Sequence, residues 1–437
     1  MIKHLKTLLK NNEIRNTGWI IIGKASQMVL SFLVGVWSAQ YLGPSYYGQL
    51  NYVLAYVALF TSLCTLGITS SVLINELTKH PDEEGKTLGT AIGMRLVSSI
   101  FSAIMIVSIV FLVDDGDPLL VWIAVLSSCG LIFKVFDLIE FWFLKRYLSK
   151  ITSIASFVGY FATSLYKIYL IISEKNVAYF ALSTSVDYIV IAIILFIAYK
   201  KYGGGKLGFS LKRGKEILSA SYHFILSGTM VALYGQTDKV MLKIMQSEAE
   251  VGYYSTASTI SNIWVFVLSA IISSLSPAIV RFKKEGNETL YRQKNRQLYS
   301  IVFYLSLFVS LMITIFAPLI IKILYGEAYL GSIAPLRIIT WYVAFSYLGV
   351  ARDVWLVCEN KQKYSTYIYI FAVIANIGLN ALFIPKFGTS GAASASLITQ
   401  ILTSMVLPIL WKDTRENVKL MVQGIINFDF LKIHKGR

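Results

Sequence analysis

Apolar runs of twenty or more residues follow one another along nearly the whole chain, interrupted by short polar segments, and each run can cross a roughly 30 Å hydrocarbon core as a helix. The pattern predicts twelve spans, at about 17–41, 46–74, 87–113, 118–143, 148–172, 176–199, 217–245, 249–279, 298–323, 332–357, 364–384 and 388–411. The first run follows a basic stretch but is too long for a signal-peptide core, and Leu42-Gly43-Pro44 replaces a small-residue cleavage site, so it reads as a retained span. The expected class is an all-α polytopic membrane protein with no soluble domain left over.

Composition agrees with that pattern. Of 437 residues, 56% are hydrophobic and 15% charged, and the mean hydropathy is +0.62. Cys64, Cys129 and Cys358 are odd in number, lie in or at the ends of apolar runs and lack metal-type spacing, so neither a disulfide framework nor a metal is expected.

The net charge of +16 changes the picture through its placement. Of the 40 Lys and Arg, 29 fall in the N-terminus, alternate loops and the C-terminal tail, and the opposite loops carry Lys175, Lys322 and Lys386. Short loops rich in these residues stay in the cytoplasm, so both termini are expected inside. The bases are dispersed over short loops, which argues against a nucleic-acid partner and for contact with anionic lipid headgroups.

The spans also echo one another. Tyr47-Gly48-Gln49 opens the second span as Gly252-Tyr253-Tyr254 opens the eighth, and Phe141-Trp142-Phe143-Leu144 matches Val354-Trp355-Leu356-Val357 at an offset of 213, each pair followed by basic residues. Chance recurrence of Gly and aromatics at membrane interfaces is the plainer alternative. A repeat of six spans puts both copies in the membrane the same way up, related by a pseudo-two-fold axis along the membrane normal. The expected organisation is a six-helix bundle at 1–200, a basic linker at 201–216, a second bundle at 217–411 and a cytoplasmic tail at 412–437.

Ionisable residues at membrane depth cost about 3 kcal/mol on insertion scales and therefore face partners or wet cavities. By helical rise, Lys24, Arg95, Lys134 and His223 lie toward the cytoplasmic side with Arg352 and Asp353, Asp187 lies near the midplane, and Lys167, Asp238, Lys239, Lys243 and Arg337 lie toward the outer side. Lys167 and Lys243 can instead snorkel, Lys134 and Asp137 share a helical face and can neutralise each other, and His223 can be a packing residue. Asp238 and Lys239, and Arg352 and Asp353, point apart around their helices. Bases outnumber acids inside the spans, and a net positive lumen suits phosphate or diphosphate: Arg95 and Arg352 can clamp such a group, Lys24 and Lys134 add charge, and Lys239 and Arg337 can receive it near the outer face. Asp187, Asp238, His223 and Asp353 are the candidates for ion or proton coupling.

No catalytic set and no cofactor motif is expected. Gly203-Gly204-Gly205-Lys206 lacks the spacing and the Ser/Thr of a phosphate loop and reads as a flexible basic linker. Gly89 and Gly93 are expected to let helices approach closely, and the tail from Val418 to Ile433 to lie on the inner membrane surface.

Four stretches together resemble the polysaccharide flippases of the multidrug/oligosaccharidyl-lipid/polysaccharide superfamily, which translocate O-antigen and capsule repeat units. They are Asn16-Thr17-Gly18-Trp19; Tyr41-Leu42-Gly43-Pro44 with Tyr47-Gly48; Asp238-Lys239-Val240-Met241-Leu242 with Val251-Gly252-Tyr253-Tyr254; and Phe387-Gly388-Thr389-Ser390-Gly391-Ala392-Ala393. The resemblance implies two six-helix bundles that rock around a cationic cavity and move an undecaprenyl-diphosphate-linked oligosaccharide to the outer leaflet, with a polymerase and other polysaccharide-assembly proteins as partners. Of the candidate site residues only Asp238 falls within a matched stretch. The alternatives are a cation-coupled multidrug antiporter of the same superfamily, which calls for an acidic lumen, and a membrane glycan polymerase or transferase, which calls for a long outer loop.

Overall fold

The structure is a computed structural model that describes residues 12–431, with side chains from residue 27 onward. Its regular elements are all helices, with no strand among the described residues. Ten continuous helical stretches are long and apolar enough to cross a bilayer. The stretches 27–79 and 363–410 each supply two of the twelve spans, because a non-helical glycine divides them: Gly43 (φ 69°) in α1 (Asn12–Thr65) and Gly388 (φ 53°) in α14 (Lys363–Ile401). The chain is a multi-pass membrane protein.

The described residues form two compact units, those up to Leu42 with Gln49–Ala232, and Gly43–Gly48 with those from Leu233 onward. The first contains most of α1, the short α2 (Ser70–Lys79), α3 (Glu84–Val113), α4 (Pro118–Lys134), α5 (Leu138–Lys145), α6 (Ser149–Ile172), α7 (Val177–Ala181), α8 (Ser183–Lys201) and the start of α9 (Leu211–Met245). The second contains the end of α9, α10 (Glu248–Asn262), α11 (Val265–Lys284), α12 (Glu288–Leu324), α13 (Ile333–Cys358), α14, α15 (Leu407–Leu410) and α16 (Lys412–Ile426).

Each unit has its own core, and each core is anchored by the tryptophan of the second echo. In the first, Trp142 is buried with Leu88, Leu138, Phe143, Leu195 and Tyr199. Its indole donates to Glu84 (3.1 Å), which also pairs with Lys145 (2.6 Å) and Arg146 (2.5 Å), and the Arg146 guanidinium covers the ring at 3.7 Å. A tryptophan with one apolar face and one polar edge suits such a boundary between hydrocarbon and water. In the second unit Trp355 is buried with Leu348, Ala351, Leu356, Tyr299 and Met421, and Lys361 lies 5.1 Å from its ring centre.

The segment after α8 departs from the expected flexible linker. Tyr199 donates its hydroxyl to the Gly205 carbonyl (2.8 Å), and Ser210 donates its N–H to Thr90 Oγ1 (3.0 Å), which straps 205–210 along the start of α3. A Cβ built on Gly85 would lie 2.5 Å from the Lys206 carbonyl oxygen, and one on Gly89 would lie 2.5 Å from that of Gly208. Gly89 therefore admits an extended strap where a close helix pair was expected, and Gly93 faces the Phe209 ring. Gly89→Ala is expected to lift the strap at a cost of about 1–3 kcal/mol. The check is limited proteolysis, which should cut faster within 203–210 than in the wild type.

The tail also differs from expectation. Helix α12 has 37 residues and is about 55 Å long at 1.5 Å per residue, so it outreaches a hydrocarbon core of roughly 30 Å. Its projecting end gives α16 a protein partner. Val418, Leu420, Met421 and Gly424 are buried, Asn417 donates to the Tyr299 hydroxyl (2.5 Å), and Arg296 pairs with Asp429 (2.5 Å). The apolar face of this amphipathic helix is thus covered by the unit's own core.

Candidate functional site

In the second unit, α9, α10 and α14 bring together a cluster that sequence reading identified by Asp238 alone. The Asp238 carboxylate is 4% exposed. It accepts hydrogen bonds from Asn380 Nδ2 (2.6 Å), Asn376 Nδ2 (3.2 Å), Ser396 Oγ (2.5 Å) and the Tyr254 hydroxyl. Asn376 and Asn380 stand one helical turn apart on α14, so both amides reach one point, and Ser396 approaches from beyond the Gly388 break. Tyr234, one turn before Asp238, donates to Gln400 Oε1 (2.9 Å). No base lies within salt-bridge distance of Asp238 among the described residues. A buried carboxylate held by neutral groups keeps its charge available for a cation or a proton, and the Asn380 carbonyl oxygen is buried with no hydrogen-bond partner. The paired asparagines, costly in an apolar span, were the signal that would have exposed the cluster.

Arg352 and Asp353, expected to point apart, do pair: Arg352 Nη2 lies 3.2 Å from Asp353 Oδ1. The guanidinium folds back along α13, and its Nη1 donates to the Thr403 carbonyl at 2.8 Å. That carbonyl lies in a π-helical turn at Leu402–Val406, where regular pairing is disturbed, so Arg352 supports the irregular turn as well as carrying charge. Asp353 also accepts from Ser365 (3.1 Å) and Tyr369 (3.2 Å). Arg337 is exposed and donates to the Thr314 carbonyl (3.2 Å). Lys239 is partly buried, with no hydrogen bond or ion pair among the described residues, and Lys243 sits 3.7 Å from Glu248.

In the first unit, Lys134, Asp137, Glu140, Tyr160 and Tyr188 line a polar cavity of about 460 Å³. Lys134 donates to the Tyr188 hydroxyl (3.0 Å), so it reaches across to α8 and does not turn back on Asp137 as its helical spacing allowed. Asp187, adjacent to Tyr188, is 9% exposed and its Oδ1 has no hydrogen-bond partner. It packs against α6 at Gly159, where a Cβ would come within 3.0 Å of that oxygen. Arg95 is buried and donates to the Thr65 carbonyl (3.0 Å) and the Ile68 carbonyl (2.5 Å). His223 is exposed beside Tyr222. Lys24 lies outside the residues whose side chains are described.

One group among the described residues has metal-type donors, Glu76, His80 and Glu216. Arg213 occupies it, with Nη1 at 2.6 Å from His80 Nε2 and 2.8 Å from Glu216, and Nη2 at 2.9 Å from Glu83. Lys79 pairs with the third member, Glu76 (2.6 Å), so cations of the chain already occupy all three acceptors and these residues do not fit a metal ion.

The described residues thus combine a multi-pass helical membrane fold with a buried carboxylate held by neutral donors. The polysaccharide biosynthesis protein family model matches residues 14–283, and the chain belongs to that family, the polysaccharide flippases of the multidrug/oligosaccharidyl-lipid/polysaccharide superfamily. The MatE model also matches, over residues 224–382. The capsular polysaccharide biosynthesis protein CapF of Staphylococcus aureus is 20% identical over 395 residues, covering 89% of this chain and 96% of the relative. A putative O-antigen transporter of Escherichia coli K12 is 22% identical over 426 residues, covering 93% and 98%. Among solved structures, an inward-facing multidrug-resistance MATE transporter superposes with a TM-score of 0.73 at 15% identity (94% and 96% covered). The lipid II flippase MurJ, in an inward closed conformation, superposes with a TM-score of 0.70 at 13% identity (97% and 93% covered). At these identities the structures speak for the fold alone.

Proposed function

We propose that the chain moves an undecaprenyl-diphosphate-linked oligosaccharide repeat unit from the cytoplasmic to the outer leaflet of a bacterial inner membrane by alternating access, for O-antigen or another surface polysaccharide. The family supports a flippase, and the names of the two relatives point to capsule or O-antigen assembly. On this reading both termini are cytoplasmic, the bundles at 1–200 and 217–411 are joined by the basic linker at 201–216, and a polysaccharide polymerase acts on the product. Lys134, Lys239 and Arg337 have no carboxylate within salt-bridge distance among the described residues, and together with Lys24 they handle the anionic substrate. Arg352 contributes less direct charge, because Asp353 shares it.

The observation that carries the transport mechanism is the Asp238 cluster, which suits ion coupling. Asp187, buried with a free carboxylate oxygen, is a second candidate for proton exchange. The same cluster and the MatE match favour, as a second reading, a cation-coupled drug antiporter. Deleting the gene separates the two. The flippase reading expects lipid-linked repeat units to accumulate on the inner leaflet and surface polysaccharide to disappear, with rescue by the wild-type chain. Normal surface polysaccharide together with new drug sensitivity would support the antiporter.

A further inference from the structure

The second span breaks where Arg95, one of the expected phosphate clamps, enters from α3. Helix α1 ends at Thr65, Leu66 (φ 51°) and Gly67 (φ 61°) take left-handed backbone, and α2 restarts at Ser70. Thr69 caps α2 by accepting from the Val72 N–H (3.4 Å), while the N–H groups of Ser70 and Ser71 have no partner among the described residues. The 10-residue α2 thus directs its positive end at the break.

Arg95 is 4% exposed, yet it makes no salt bridge among the described residues. Nε and Nη2 serve the carbonyls of Thr65 and Ile68, and Nη1 makes no hydrogen bond among the described residues. Arg95 lines a cavity of about 430 Å³ together with Ser62, Thr69, Ser227 and Gly228. Phe224 (46% exposed) and Val231 (48% exposed) also line it and turn apolar surface outward. A buried guanidinium with no direct salt bridge among the described residues, a helix N-terminus and hydroxyl groups form an anion cradle, and the exposed apolar residues suit a chain attached to that anion.

We propose that this break is a subsite for a lipid phosphate or diphosphate. The cavity lies one α1 segment, Gly48 to Thr65, below the opposite end of the span, about 25 Å by helical rise and hence near the headgroups of the far leaflet. The Lys and Arg distribution assigns that leaflet to the cytoplasm. The assignment of the ligand to the transported lipid rests on the flippase reading, while the anion chemistry does not. Two sources share this chemistry, the diphosphate of the transported lipid and the phosphate of a resident anionic phospholipid.

The test uses the full chain in phosphatidylcholine nanodiscs titrated with farnesyl diphosphate, with farnesol as the uncharged control. Ser227→Asp places a carboxylate at the cavity without touching the Arg95 bonds, and like charge should weaken farnesyl diphosphate about tenfold or more while farnesol is unaffected. Arg95→Gln should do the same where it folds, and Ser227→Asp decides alone where it does not. Unchanged farnesyl diphosphate affinity in Ser227→Asp overturns the subsite. Repeating the titration in discs containing phosphatidylglycerol separates the sources: competition lost in Ser227→Asp assigns the site to lipid phosphates in general, and absence of competition assigns it to diphosphate. Binding is read without transport, so its outcome is independent of whether the chain proves to be a flippase.

Discussion

Asp238→Asn is expected to leave the protein folded and inserted but to abolish gradient-driven transport. The substitution keeps the shape of the side chain and removes its charge. The remaining oxygen can still accept from Asn376 (3.2 Å) and Asn380 (2.6 Å), while the new NH₂ group replaces the oxygen that accepted from Tyr254 and Ser396. Hydrogen bonds to a charged group contribute about 1.5–3 kcal/mol each, so losing the charge should weaken cation or proton binding on the order of 100-fold. In proteoliposomes with an imposed sodium or proton gradient, the variant should move substrate no faster with the gradient than without it. A wild-type response to the gradient would remove Asp238 from the coupling mechanism.

Alanine at Gly48 or Gly252 should instead damage the fold. These glycines belong to the two stretches matched as a repeat, and within the second unit they press against each other's neighbours. A Cβ on Gly48 would lie 1.7 Å from the Glu248 carbonyl oxygen, and one on Gly252 would lie 2.1 Å from that of Pro44. Both obstacles are backbone, so no side chain can swing aside. Overpacking of this kind costs about 1–3 kcal/mol or more, which corresponds to a fall in melting temperature of about 2–12 °C for a unit of this size. Thermal unfolding in detergent checks it. A Gly252→Ala protein that melts with the wild type would show that the 43–48 segment does not pack as described.

These two sites mark how far the sequence could be read. The spans were legible because an apolar run of twenty residues has few other uses, and Trp142 and Trp355 could be matched because each sits among apolar neighbours beside basic residues. Side-chain partnerships were less legible. Helical wheels placed Arg352 and Asp353 apart, but a long guanidinium folds back along its own helix to reach both Asp353 and Thr403. Asp238 was singled out for its charge, yet Asn376, Asn380 and Ser396 are about 140–160 residues away in sequence, and no local spacing joins them to it. The Gly203–Lys206 linker looked mobile by composition, and the strap depends on Gly85 and Gly89, more than a hundred residues earlier.

The most direct measurement is translocation by the purified chain. Proteoliposomes are loaded in the membrane with a fluorescent undecaprenyl-diphosphate oligosaccharide, and the fraction reached by a membrane-impermeant quencher is followed over time. The account predicts that the wild-type chain moves the lipid-linked saccharide between leaflets, faster under an ion gradient, and that Asp238→Asn loses the gradient's effect. Wild-type vesicles whose lipid stays in its original leaflet, with or without a gradient, would contradict it.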